Sequence, residues 1–249
     1  WPPGHQDPGP YVSAAMASPN PRLIYLHGLA SSSRSAKVRF LAGRARAGGL
    51  TLQWPDLNTG GFRRLTFTRM LDQTRALIRA QPGPVLLLGS SLGGLAATWC
   101  AQGDCRVKGL LLLAPAFEFL QNWLPRLPVG QRASWERGEP LWIHHHGENR
   151  PLPLDPLFLQ DMARFSGTHT LVRPLPTRIV HGEQDDVIDL AASRRFAASR
   201  PWVRLVEVDA DHRLAGVSGV SGVSGVIWRQ LEALLAEITA TGEVTPCRR

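Results

Sequence analysis

The chain has 249 residues, 43% of them hydrophobic and 19% charged, a balance that excludes wholesale disorder. A length of this kind suits one large α/β domain or two small ones, and hides enough surface to fold without disulfide staples. The formal charge of +8 invites a nucleic-acid reading, but lysine occurs only at Lys37 and Lys108, and the arginines stand singly or in pairs. Without a basic tract no nucleic-acid partner is expected.

Trp1–Pro21 is rich in Pro, Gly and Ser and has no hydrophobic period; it reads as a disordered extension, with Met16 a candidate start. Arg22–Leu26 is a short β-rich run ending at His27-Gly28. Ser35–Ala47 puts Val38, Leu41, Ala42 and Ala45 on one helical face and stops at Gly48-Gly49. Leu50–Trp54 is a second strand, and Phe67, Met70, Leu71, Leu77 and Ile78 mark a helix from Thr66 to Ala80. Pro84–Gly89 is wholly apolar, as a strand covered on both faces should be. A helix over Leu92–Gln102 and an apolar strand over Val107–Ala114 follow.

Phe117–Leu175 changes character: it holds many Pro and Trp residues and no clean strand, which predicts an inserted cap of short helices. The alternation then resumes with a strand at Thr177–His181, a helix at Leu190–Ala198, a strand at Val203–Val208 and a helix at Val226–Ile238. Such alternation predicts an α/β fold with a mostly parallel sheet covered by helices on both faces. One domain over residues 22–238 is expected, with a cap insertion over residues 117–175 and a flexible tail over residues 239–249. Between Ala215 and Val226 the triplet Ser-Gly-Val recurs, which reads as a slipped repeat in a surface loop.

The strongest chemical signal is Gly89-Ser90-Ser91-Leu92-Gly93-Gly94, between an apolar strand and a helix. The pattern G-x-S-x-G places Ser91 on a tight strand-to-helix turn, where side chains at Gly89 or Gly93 would collide with neighbouring backbone. The turn lifts the hydroxyl out of the sheet and aims the helix N-terminus, with the N–H of Leu92, at any oxyanion that forms. Ser90 is the rival nucleophile, but Leu88 and Leu92 flank it at the glycine positions. A serine needs a base. His212, in the loop before the last helix, can swing over the turn, whereas His27 and His181 end strands and fit loop-orienting roles. The base needs an orienting carboxylate, and Asp185 and Asp186 follow the strand Thr177–His181. Serine, then aspartate, then histidine is the chain order of α/β-hydrolases. A second oxyanion donor is expected after the first strand, in His27-Gly28-Leu29-Ala30, from the N–H of Leu29; Gly28 lets the backbone approach closely.

The sequence resembles the small bacterial α/β-hydrolase-fold esterases of the YqiA/YcfP type. The matching stretches are Tyr25–Ser32, Pro55–Asn58, Leu65–Leu71, Gly89–Gly94, Ala114–Phe117, His181–Ile188 and Asp211-His212, spread over nearly all of Arg22–Ile238. The resemblance implies an α/β-hydrolase fold and carboxyl-ester hydrolysis without a cofactor. It assigns Ser91 as nucleophile, Asp185 as acid and His212 as base. The triplets just after His212 depart from the pattern of those esterases.

Other candidates are weaker. His144-His145-His146 cannot easily converge on one ion, so no metal is expected, and these side chains should line or cover the cap. The four residues between Cys100 and Cys105 match no zinc spacing, and three cysteines form no disulfide framework; thiols and a cytoplasmic location are expected. Trp123, Trp135 and Trp142 serve either cap packing, the favoured reading, or an acyl pocket. No apolar run approaches the about 18–20 residues of a membrane span. The expected activity is a serine esterase acting on a small-molecule ester or thioester. The alternatives are a thioesterase or peptidase on the same fold, and a hydrolase-like binding protein without turnover.

Overall fold

A computed structural model describes residues 20–165, 167, 172–214 and 222–241. Residues 1–19 of the expected extension, Ala215–Ser221 of the repeat and the tail beyond Thr241 lie outside the described residues.

The chain opens with β1 (Arg22–Leu26), α1 (Ala36–Ala47), β2 (Leu52–Gln53), α2 (Phe67–Arg79), β3 (Val85–Ser90), α3 (Leu92–Gly103) and β4 (Val107–Leu113). The first two helices begin where the sequence offers a hydroxyl. Ser35 Oγ accepts from the Val38 amide and Thr66 Oγ1 from the Arg69 amide, each satisfying one of the orphan donors of a first turn. Between β4 and the next main-sheet strand lie α4 (Phe119–Trp123), a 3-10 turn, α5 (Val129–Glu136), β5 (Leu141–His145), β6 (Arg150–Leu154), α6 (Leu157–Met162) and a second 3-10 turn. The chain then runs through β7 (Thr177–Gly182), α7 (Leu190–Ala198), β8 (Val203–Val208) and α8 (Val223–Thr241).

The main sheet has the order β2-β1-β3-β4-β7-β8 and every neighbouring pair is parallel. Alternate side chains leave it in opposite directions. Leu23, Tyr25, Leu86, Leu88, Leu111, Leu113 and Val180 pack against Val38 and Leu41 of α1 and Ile227, Trp228, Leu231 and Leu234 of α8. Ile24, Leu26, Leu87, Leu110, Leu112 and Ile179 pack on the other face against α2, α3 and α7. Both faces are therefore covered, which explains the unbroken apolar runs. The chain steps outward from β1 to β2, then returns past β1 to β3, so the strand order reverses there. Such a reversal leaves a crevice at the carboxyl ends of the two flanking strands. Leu26 of β1 lies opposite Gly89 of β3, so the loop after β1 stands beside the turn after β3.

Three expectations need correction. The segment after β4 was expected to hold no strand, yet β5 and β6 form an antiparallel hairpin. Pro151 and Pro153 hid it, because proline argues against a strand interior. They occupy alternate positions, opposite His144 and Trp142, so both missing amides fall on the open side of an edge strand. Phe119, Trp135, Leu154, Phe158 and Met162 of this segment join the core that also holds residues of α2 and α3. Trp135 stacks on Phe158 and meets Trp123 edge-on, while Trp142 is exposed, so the first two are packing residues.

The last Ser-Gly-Val triplet is not loop: α8 starts at Val223, where Val223 is buried against the sheet, and it runs on through Thr239–Thr241 of the expected tail. Cys100 is a buried free thiol facing the core, but Cys105, half-buried in the turn past α3, is disulfide-bonded. Among the described residues no helix is long and apolar enough to cross a membrane.

Candidate active site

Ser91 links β3 to α3 with φ 53° and ψ −120°, outside the region a non-glycine residue prefers. The surrounding backbone imposes this. The Ser91 amide donates to Leu113 O, and Ser91 O accepts from the amides of Gly94 and Ala116. A Cβ on Gly93 would sit 2.2 Å from Leu26 O, and one on Gly89 would sit 2.4 Å from Gly93 O. Neither distance is physically possible without moving the backbone, so glycine at both flanks permits the turn.

Three predicted side chains meet here. Ser91 Oγ lies 3.0 Å from His212 Nε2, and His212 Nδ1 lies 2.7 Å from Asp185 Oδ2. A carboxylate oxygen can only accept, so Nδ1 carries the proton and Nε2 is left to accept from the serine hydroxyl. Asp186 is exposed and stands outside this chain of bonds.

Each member is held from behind. Asp185 Oδ1 accepts from the amides of Val187 at 2.9 Å and Ile188 at 2.8 Å. Its Oδ2 also accepts from His181 Nε2 at 3.0 Å, and both partners are fully buried. Burial pushes the carboxyl pKa up, but the hydrogen bonds from His181 and His212 outweigh it and hold Asp185 well below the ordinary carboxylate range. His181 is fixed in turn, since its Nδ1 accepts from the buried Ser193 hydroxyl of α7 at 2.8 Å. The loop carrying His212 is pinned on both sides by buried Ala210 and Leu214. The Gln184 amide donates to Ala210 O, and a Cβ on Gly182 would meet that oxygen at 2.2 Å.

The loop after β1 closes the crevice. A Cβ on Gly28 would lie 3.0 Å from Ser91 Cβ, so only a bare backbone fits comfortably. His27 Nδ1 donates to Gly28 O at 2.9 Å while its Nε2 accepts from the Leu57 amide at 2.9 Å. Both ring nitrogens are thus committed to shaping loops, the role its strand-end position suggested. Leu29 follows in a turn whose next residue, Ala30, has φ 54° and accepts from the His146 amide at 2.8 Å. Leu92 is the first residue of α3, and the amide of a first helical residue has no partner within its own helix.

Sequence reasoning missed two supports. His181 precedes Asp185 by four residues, and only the fold shows that it reaches the same oxygen as His212. Lys37 of α1 donates to Ser90 Oγ at 3.0 Å, directly behind the turn. Burial lowers its pKa to about 8, opposed by the charges of Asp211 and Asp185. Of the three adjacent histidines, His145 is buried at the end of β5, while His146 meets His144 edge-on in and beside the hairpin turn. Among the described residues no group of three or more His, Cys, Asp or Glu is arranged to hold a metal ion.

Solved structures share this architecture. Est1E from Butyrivibrio proteoclasticus, bound to ferulic acid, superposes with a TM-score of 0.72 at 19% identity, over 88% of this chain and 89% of that one. Mouse alpha/beta hydrolase domain-containing protein 10 gives 0.69 at 18% identity, over 89% and 92% of the two chains. A monoacylglycerol lipase from Paleococcus ferrophilus gives 0.67 at 16% identity, over 88% and 96%. The fold is the α/β-hydrolase fold. No curated protein matches the sequence significantly. The sequence pattern of the uncharacterised protein family UPF0227 matches residues 22–221, and the chain belongs to that family.

Proposed function

We propose that the protein is a serine hydrolase that cleaves carboxylic esters or thioesters through an acyl-enzyme. The observation that carries this reading is the unbroken chain from Ser91 Oγ through His212 to Asp185, at 3.0 and 2.7 Å. The esterase and the lipase among the structural neighbours support it.

Ser91 Oγ attacks the acyl carbon as its proton passes to His212 Nε2. Asp185 keeps the proton on Nδ1 and stabilises the imidazolium, and its low pKa keeps it charged at every working pH. The N–H groups of Leu92 and Leu29 hold the oxyanion in a site organised before substrate arrives. The tetrahedral intermediate collapses, His212 gives its proton to the leaving oxygen or sulfur, and the alcohol or thiol departs. Water then attacks the acyl-enzyme, losing one proton to His212. Ser91 Oγ leaves, recovers that proton, and the acid is released.

A fluorophosphonate probe should label the folded protein and fail to label Ser91→Ala. Turnover of p-nitrophenyl esters from acetate to palmitate, with acyl-CoA thioesters alongside, then sorts the acyl preference. A folded protein that neither labels nor turns over any of these overturns the reading and leaves a binding role for the fold.

A further inference from the structure

Beside the crevice lies a cavity of about 540 Å³, within the about 300–1,000 Å³ usual for small-molecule sites. It opens between the loops after β1 and β2 and the β5–β6 hairpin. Its Asp56 wall is one imidazole away from the nucleophile's neighbour: Asp56 Oδ1 lies 3.2 Å from His27 Nε2, and His27 holds Gly28 against Ser91. The hairpin is tied to the same loop by the bond from the His146 amide to Ala30 O.

The lining is polar but balanced. Arg34 and Arg150 share the lining with Asp56 and Glu148, and Arg34 lies 3.7 Å from Glu148, so the formal charges cancel. His145 is 2% exposed, and its Nδ1 accepts from the Glu148 amide at 3.1 Å. The proton therefore sits on Nε2, and that buried N–H has no protein partner among the described residues. An unmet buried donor is costly and rare, which makes it a pointer to a ligand. Asp56 offers the complementary acceptor: its half-exposed carboxylate takes the Asn58 amide at Oδ1 and keeps further lone pairs turned outward. Phe62 and Leu152 add an apolar surface.

A long acyl chain would strand these polar walls without partners. A phosphate would meet two carboxylates beside the two arginines, so a charged group gains nothing net from this lining. Groups that both donate and accept, and carry no charge, satisfy every wall. We propose that this cavity holds the alcohol part of the ester, an uncharged polyol of the sugar or glycerol kind. This rests on the esterase reading and narrows its substrate class.

The test compares 6-O-acetylglucose and glycerol monoacetate with p-nitrophenyl acetate, which shares their acyl group and lacks the polyol. Leu152→Trp fills the cavity and Arg150→Ala removes a donor from an exposed position. Each variant should lose about tenfold more kcat/KM on the polyol esters than on p-nitrophenyl acetate, the scale of one hydrogen bond, and mainly through KM. Equal losses on all three substrates, or none, overturn the subsite. Binding is read separately by saturation-transfer NMR of free glucose and glycerol on Ser91→Ala protein. Transfer should appear and should vanish in Leu152→Trp, and its absence from the parent overturns the proposal. Transfer without any p-nitrophenyl acetate turnover in the unmutated chain would instead sink the esterase reading and keep the site.

Discussion

The turn at Ser91 and the β5–β6 hairpin both adjoin the loop after β1, yet they are specified in opposite ways. At the turn, backbone meets backbone: Gly89 packs on Gly93 and Gly93 on Leu26 O, with no room for one carbon. At the hairpin, side chains from distant segments hold the strands, as Phe62 meets His145 edge-on and Arg63 reaches Asp155. Local crowding dictates residue types at fixed spacing, whereas long-range pairing dictates none. The first kind of region is intolerant and readable; the second is tolerant and silent.

The largest effects should come from side chains that the rigid turn presents. Ser91→Ala should cut ester turnover about 10⁶-fold while circular dichroism and the urea midpoint stay in place. Asp185→Asn should cost about 10⁴-fold, because an amide cannot hold the His212 proton on Nδ1. Asp186→Asn, on an exposed side chain, should barely move the rate. Equal losses at 185 and 186 would mean that the buried bonds to Asp185 do not decide the chemistry. Since Asp185 is charged in the fold far below the ordinary carboxylate range, its contribution to stability is full above about pH 4 and is lost as acid protonates it.

The same added methyl should act oppositely in the two regions. Gly93→Ala should destabilise by about 3 kcal/mol, since its Cβ would strike Leu26 O. Gly130→Ala, in α5 of the inserted segment, meets nothing within 4 Å and should stabilise by about 0.5–1 kcal/mol through helix propensity. Urea titrations of both measure the contrast directly. A cost at Gly130 equal to that at Gly93 would erase the distinction.

This contrast explains what the sequence revealed. Strand and helix alternation was legible because a sheet covered on both faces buries unbroken apolar runs such as Val85–Leu88, and helix starts carry hydroxyls at Ser35 and Thr66. The turn was legible because sterics leave only glycine at its flanks. The candidates Ser91, Asp185 and His212 were legible from their places after β3, β7 and β8, although only coordinates show His181 sharing Asp185. The hairpin was illegible because Pro151 and Pro153 suit an edge strand that no local rule announces. The bridge at Cys105 was equally hidden, since pairing of cysteines is a property of the fold and not of their spacing.

The inserted segment still has one rigid anchor. Asp161 of α6 is buried and accepts from the Thr68 amide at 2.7 Å and its hydroxyl at 2.6 Å. Asp161→Ala strands both donors at the start of α2 and should cost about 1–3 kcal/mol. A smaller loss would show the segment to be held by its apolar contacts alone.

A pH-dependent effect separates the turn from what lies behind it. The Lys37 ammonium is buried against Ser90 Oγ, and that burial brings its pKa down to about 8. In the unfolded chain a lysine titrates near 10.4. Below pH 8 both states hold the proton and the fold bears the cost of a buried charge. Between pH 8 and about 10.4 the folded chain sheds the proton first, so its stability rises with pH. Lys37→Met removes the charge, so it should gain about 1–3 kcal/mol at pH 7, less whatever the lost bond to Ser90 contributed. Its stability should also stay flat where the parent's rises. Tyr25, pushed up to about 12 by burial, lowers stability above pH 10 in both proteins alike and cancels in the difference. Urea midpoints at pH 7 and pH 10 decide it. Identical slopes would mean that the ammonium is solvated and that the wall behind Ser91 is as permissive as the hairpin.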